Sequence, residues 1–236
     1  ALERLGVVDY GDVAVVDDDV ETTFMHAHER LADIAAAGAA PIVLGGDHSV
    51  TIAVLQVLAG ILSGRLGIVA LDARLDLAFE PRYAAGSQWA RALELGVVDP
   101  ANVAVVGLRE SGQAPLDVAV ARELGLRTYS TIDVDGLGIA TVAQEALEIA
   151  AAGTEAIYVS LDLSVAGRAD AEATGCPPGG LGGRELATAV RTLASGRVAG
   201  LDVCGPSGGV AFDAALARHA ACAAAQLVVG LAAQQP

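Results

Sequence analysis

Apolar residues recur along this chain in two alternating rhythms. Short runs rich in Val, Ile and Leu, at Val13–Val16, Pro41–Leu44, Gly67–Leu71, Val103–Gly107, Thr128–Thr131, Ala156–Leu161 and Val198–Val203, predict strands. Longer Ala- and Leu-rich stretches with helical spacing predict helices near 20–37, 50–62, 87–95, 116–124, 139–152, 184–195 and 213–233. Several strands are apolar throughout rather than at every second position, which requires cover on both faces. Such strands alternating with helices specify an α/β fold of three layers, αβα, around a mainly parallel sheet. Gly38, Gly64, Gly96, Gly125, Gly153 and Gly196 stand where helices should stop. No shift in composition marks a linker and no fixed-period repeat occurs, so residues 1–236 are read as one domain.

The polar residues are not spread evenly over this frame. In an open parallel sheet, ligands bind beyond the carboxyl ends of the strands, where the loops converge. The apolar runs lead into Gly45-Gly46-Asp47-His48, Asp72-Ala73-Arg74-Leu75-Asp76, Asp162-Leu163-Ser164 and Asp202-Val203-Cys204-Gly205. Residues two apart in an extended segment point the same way, so Asp72, Arg74 and Asp76 can line one face, as can Asp162 and Ser164. Carboxylates and an imidazole gathered in an apolar crevice need a compensating cation. An oxygen-rich set with one His suits Mn²⁺ or Mg²⁺, with Zn²⁺ a further option. The competing explanation is a structural cluster neutralised by Arg74 alone.

Charge narrows the chemistry. All 14 basic residues are Arg, against 29 Asp and Glu, for a net charge of −15. Without lysine there is no Schiff base, pyridoxal anchor or phosphate-loop lysine. The acidic balance disfavours nucleic acid and anionic membrane surfaces as partners and favours small cationic ligands. Hydrophobic residues make up 53%, but the longest nearly apolar run, Ala220 to Ala233, is interrupted by Gln226. It falls short of the roughly 18–20 residues of a membrane span. Cys176, Cys204 and Cys222 show no paired spacing, and no basic segment leads into an apolar one at the N-terminus. A reduced, cytoplasmic protein is expected.

With these residues in view, the chain resembles the ureohydrolase family of arginases and agmatinases. Gly45-Gly46-Asp47-His48-Ser49 resembles the family's GGDHS segment, Asp72 to Asp76 its D-A-H-x-D, and Ser160-Leu161-Asp162-Leu163-Ser164 its S-x-D-x-D. Thr174 to Leu181 is similar to its TGTP-x-PGGL, one residue shorter, with Arg184-Glu185 following. Gly200-Leu201-Asp202-Val203 resembles the strand before its substrate-contacting Glu. The likeness runs from about Val7 to the last helix, without the family's N-terminal strand segment. It implies a site of two Mn²⁺ ions that generates a hydroxide to attack a guanidinium carbon, and a homo-oligomer, often a trimer or hexamer.

The departures from that pattern bear on function. The ligands of one metal map onto His48, Asp72, Asp76 and Asp162, all present. The second metal shares Asp72 and Asp162 but needs a His where Arg74 stands and an Asp where Ser164 stands. The family's proton-transfer His corresponds to Gln88, and its guanidinium-holding Glu to Gly205. On this mapping Arg74 and Gln88 fall at catalytic positions, and Ser164, Cys204 and Gly205 on the substrate side. The three carboxylates are balanced by one divalent ion together with the permanent charge of Arg74, whose guanidinium is expected in the second metal's place. Two readings follow. Either the protein keeps at most one ion with lost or altered guanidine hydrolysis, or it remains a single-metal hydrolase of a small guanidino or amidino compound, with Arg74 stabilising the developing anion.

Other candidates carry plainer expectations. His26 and His28 point to nearly opposite sides of a helix and are read as surface residues. His219 is read as structural, Cys204 as a buried thiol rather than a nucleophile, and Trp89 as a packing residue. Gly136-Leu137-Gly138 is read as a loop rather than a dinucleotide site.

Overall fold

A computed structural model describes residues 5–79, 84–167, 179–205 and 214–233. Among these residues six strands form one sheet: β1 (Ile42–Leu44), β2 (Leu66–Leu71), β3 (Val98–Leu108), β4 (Arg127–Ser130), β5 (Ala156–Asp162) and β6 (Val198–Cys204). Their order is β1-β6-β5-β2-β3-β4, and every pairing is parallel. The helices among the described residues include α1 (Val20–Ala36), α2 (Val50–Ile61), α3 (Gln88–Glu94), α4 (Pro115–Leu124), α5 (Thr131–Leu137), α6 (Ile139–Ala151), α7 (Gly183–Leu193) and α8 (Ala214–Ala233).

Side-chain alternation divides the sheet between two cores. Val69, Leu71, Val106, Val159, Leu161 and Leu201 pack under α6, α7 and α8. Ile68, Ala70, Val105 and Tyr158 pack on the other face, against α2 and its neighbours. Burying each Val, Leu or Ile stabilises by about 1.5–3 kcal/mol, so an all-apolar strand such as β2 is held from both sides. Helices and sheet approach closely: a Cβ on Gly67 would lie 1.8 Å from the Ala150 carbonyl oxygen, so only glycine fits.

The predicted elements recur with ends shifted by a few residues, with two corrections. Val13–Val16 is not a strand. Its backbone is tied to α1, with Val16 N donating to Thr23 Oγ1 at 2.9 Å and His26 Nδ1 2.9 Å from Ala14 O. A β-branched run becomes a strand only where a neighbour supplies a ladder. Helix α5 takes in Gly136 and Leu137, which the sequence places in a loop, and leaves only Gly138 outside as its cap. Ser130 and Asp133 cap its start reciprocally, a signal present in the sequence as S-x-x-D. Among the helix-stop glycines, Gly38, Gly96, Gly125 and Gly153 take left-handed φ values of 70–74°, whereas Gly64 and Gly196 do not.

The topology also prepares a crevice. Strands β5 and β6 lie between β1 and β2, so the chain reverses direction across the sheet at this point. Loops leaving β1, β2 and β5 converge above it, as expected at a topological switch point.

Candidate metal centre

Each candidate ligand is set by its strand end. His48 lies in the Gly45–Ser49 loop after β1, which Gly205 N fastens to β6 by donating to Gly46 O at 2.7 Å. Asp72 immediately follows β2. Asp76 takes a φ of +48°, a conformation that aspartate tolerates better than most residues. Asp162 ends β5 and accepts from Ser164 N at 2.6 Å, opening the turn Leu163–Val165.

One oxygen of each aspartate lies around His48 Nδ1, and His48, Asp72 and Asp76 offer ligand atoms within 4.8 Å of one another. From His48 Nδ1, Oδ2 of Asp72 lies at 3.2 Å, Oδ2 of Asp162 at 3.3 Å and Oδ2 of Asp76 at 3.5 Å. All four residues are buried. Burial alone would lower the pKa of His48, but the carboxylates of Asp162, Asp72 and Asp76 around it carry it well above the ordinary imidazole value. Burial and the charges of Asp76 and Asp162 push Asp72 up to about 7. Burial acts the same way on Asp162, but His48 and Ser164 outweigh it and hold that carboxyl below its usual range. Asp72 Oδ2 is buried without a hydrogen-bond donor. An orphaned carboxylate oxygen aimed at two further carboxylates and an imidazole is what a cation would complete. The 3.2–3.5 Å from His48 Nδ1 to Asp72 and Asp76 suits neighbouring ligands on one ion with bonds of about 2.1 Å. The residues present therefore fit a divalent metal.

The opposite oxygens are engaged differently. Asp72 Oδ1 accepts from Arg74 N at 2.9 Å and from Ser164 Oγ at 3.2 Å, and Asp162 Oδ1 from Ser164 N. Main-chain N–H groups and a serine hydroxyl thus hold the second oxygens of Asp72 and Asp162. The Arg74 guanidinium meets Asp76: Nε lies 3.5 Å from Oδ1, with the side chain 38% exposed.

Gln88, buried at the start of α3, is oriented by Gly86 N, which donates to Oε1 at 2.8 Å. Its Nε2 donates to Asp76 Oδ2 at 2.8 Å and lies 2.9 Å from His48 Nδ1. Trp89 packs edge-on to the His48 ring, centroids 5.4 Å apart. Gly205 has a φ of +89°, and a Cβ there would lie 2.9 Å from Asp162 Oδ1. Cys204 is fully buried, its Sγ 3.4 Å from Asp202 Oδ1, and burial with the Asp202 charge pushes its pKa well up, as an inert thiol requires.

The fold gives several further residues places that sequence position does not indicate. Asp202 is not at a strand end but inside β6, behind His48, opposite Ser160 on β5. Ser160 Oγ lies 2.8 Å from His48 Nε2. Arg109, 3% exposed, clamps the β5 turn by donating to Ser164 O, Val165 O and Ala166 O. Gln113 braces the Asp72–Asp76 loop: Nε2 donates to Ala73 O at 2.8 Å and Oε1 accepts from Leu75 N at 3.0 Å. A charged residue directly after the apolar run ending at Leu108 was the available signal for Arg109; Gln113 had none.

His26 is half-buried and His28 exposed. Residues 168–178, with Cys176 and most of the Thr174–Leu181 motif, and the side chain of His219 lie outside what is described. Among the described residues, no helix is long and apolar enough to cross a membrane. An apolar cavity of about 220 Å³ lined by Leu31, Pro41, Leu58 and Val198 opens at the amino ends of the strands, away from His48.

Known proteins resemble this chain in sequence and fold. The chain is 32% identical to proclavaminate amidinohydrolase of Streptomyces clavuligerus over 205 residues, 85% of this chain and 64% of that protein. It is 33% identical to guanidinopropionase of Pseudomonas aeruginosa over 210 residues, 86% and 63% of the two chains. It therefore spans just under two thirds of the length of these relatives. The solved structure of the Streptomyces clavuligerus enzyme superposes with a TM-score of 0.84 and 28% identity, covering 98% of this chain and 77% of that one. The arginase family model matches residues 1–232, and the chain belongs to the arginase family.

Proposed function

We propose that this chain binds one divalent cation, manganese foremost, through His48, Asp72, Asp76 and Asp162, and that its guanidine hydrolase chemistry is lost or redirected. One observation carries the reading: the three Oδ2 atoms converge on His48 Nδ1 while Oδ1 of Asp72 and of Asp162 are occupied by protein donors. When bound, the ion supplies Lewis acidity, weakened because three carboxylates already share its charge. Gln88 orients within the site but, as an amide, neither takes nor releases a proton. Gly205 offers no carboxylate to a guanidinium, and each charge-assisted hydrogen bond so lost is worth about 1.5–3 kcal/mol. Relatives named guanidinopropionase and guanidinobutyrase make a small guanidino or amidino compound the ligand class to test first.

Elemental analysis of protein loaded with Mn²⁺ and desalted is expected to give one ion per chain; two would overturn the reading. Urea or ammonia release across guanidino compounds is expected to be blank. Turnover with one ion bound would favour the single-metal hydrolase instead, with Arg74 beside Asp76 as the anion-stabilising group.

A further inference from the structure

Behind His48, away from the three carboxylates, the hydrogen bonds acquire directions when their protons are counted. Asp202 is fully buried, and its Oδ2 accepts from Thr51 Oγ1 at 2.7 Å and from the Tyr158 hydroxyl. Its Oδ1 accepts from Ser160 Oγ at 2.7 Å and from the Cys204 thiol. Register enforces the arrangement, since Ser160 faces Asp202 and Tyr158 faces Gly200 across β5 and β6. A hydroxyl carries a single proton, and Ser160 gives its own to Asp202. The 2.8 Å contact between Ser160 Oγ and His48 Nε2 is therefore made by the Nε2–H. Were Ser160 to turn its proton toward His48, its oxygen would face the Asp202 carboxylate with no proton between them.

We infer that Asp202, acting through Ser160, is a positioning residue that keeps the proton on Nε2 of His48 and turns Nδ1 toward Asp72, Asp76 and Asp162. The consequence for metal affinity rests on the metal-centre reading above. The place of the proton rests on the hydrogen bonds alone. The relay differs in kind from the Asp72 cluster, because every acceptor in it has a donor.

The test uses the whole chain labelled with ¹⁵N-histidine, read metal-free by long-range ¹H–¹⁵N correlation, with Mn²⁺ binding titrated by electron paramagnetic resonance of the free ion. With the ring neutral at alkaline pH, Nε2 of His48 is expected at the shift of a protonated ring nitrogen with a slowly exchanging proton, and Nδ1 at that of an unprotonated one. Ser160→Ala and Asp202→Asn are each expected to lose that protection and to bind Mn²⁺ about 10–100-fold more weakly. Leu147→Ala, a core truncation on the other face of the sheet, should lower the melting temperature yet leave Mn²⁺ affinity within about 3-fold. An unprotonated Nε2 in the wild-type spectrum would overturn the relay, and it needs no variant to fold. Wild-type Mn²⁺ affinity in both relay variants would overturn it as well. If the wild type takes up no Mn²⁺ while Nε2 keeps its protected proton, the metal reading falls and the relay stands.

Discussion

The two edges of the His48 ring face carboxylates on opposite terms. On the Nε2 side, Asp202 stands alone among Tyr158, Thr51, Ser160 and Cys204, and every oxygen lone pair has a donor within reach. On the Nδ1 side, three carboxylates crowd together and Asp72 Oδ2 has no donor. Both sides are buried, so burial does not separate them. Hydrogen-bond satisfaction does: a satisfied buried anion specifies structure, whereas an unsatisfied cluster stores a demand for positive charge.

The contrast can be broken from either side. The largest effect is expected from His48→Ala, which should weaken Mn²⁺ binding at least about 100-fold in a calorimetric titration. Retained affinity would place the ion elsewhere. Substituting the two kinds of aspartate should then give opposite signs in chemical denaturation of the metal-free protein. Asp202→Asn should destabilise by about 3 kcal/mol, because an amide cannot accept from all of its donors. Asp72→Asn should stabilise by about 2 kcal/mol at pH 8 while losing Mn²⁺, since it removes a buried like charge. Equal signs would erase the distinction between the two sides.

pH sharpens the same point. The folded-state pKa values of Asp72 and His48 both lie above their unfolded values. Each therefore contributes stability at low pH that is lost as pH rises, Asp72 between about 4 and 7 and His48 from about 6.5 upward. The melting temperature of metal-free protein should fall across pH 5 to 8, and the stabilisation conferred by Mn²⁺ should grow over the same range as the ligands shed protons. Asp162 works in the opposite direction, but only below about pH 4.

The smallest effect tests the rim of the cluster. Gly205→Ala should cost about 1–2 kcal/mol in denaturation, through its positive φ and the 2.9 Å approach to Asp162 Oδ1. The same strain stands against a Glu introduced at this position. A second ion is accordingly better sought with Arg74→His and Ser164→Asp together, by metal stoichiometry.

Much of this protein was legible along the chain. Fully apolar strands such as Gly67–Leu71 and Ala156–Leu161 announced a sheet buried on both faces, and polar residues at the ends of those runs marked the crevice. Local chemistry decides both, because a strand's cover follows from which positions are apolar, and a ligand's place from where the run stops. Val13–Val16 was misread for the converse reason: strand propensity is local, but a partner is not.

What the sequence determined by itself was the αβα architecture, the four residues around the proposed cation and the absence of His and Asp at positions 74 and 164. Only the tertiary structure decided how these residues are used. It directed the Arg74 guanidinium to Asp76 and its backbone N–H to Asp72, set Ser164 between two carboxylates, and moved Asp202 from the rim to the far side of His48. The physical reason is that a hydrogen bond depends on the direction and distance of two groups, often a hundred residues apart. Sequence spacing places a residue on a strand, but not its oxygen opposite a donor.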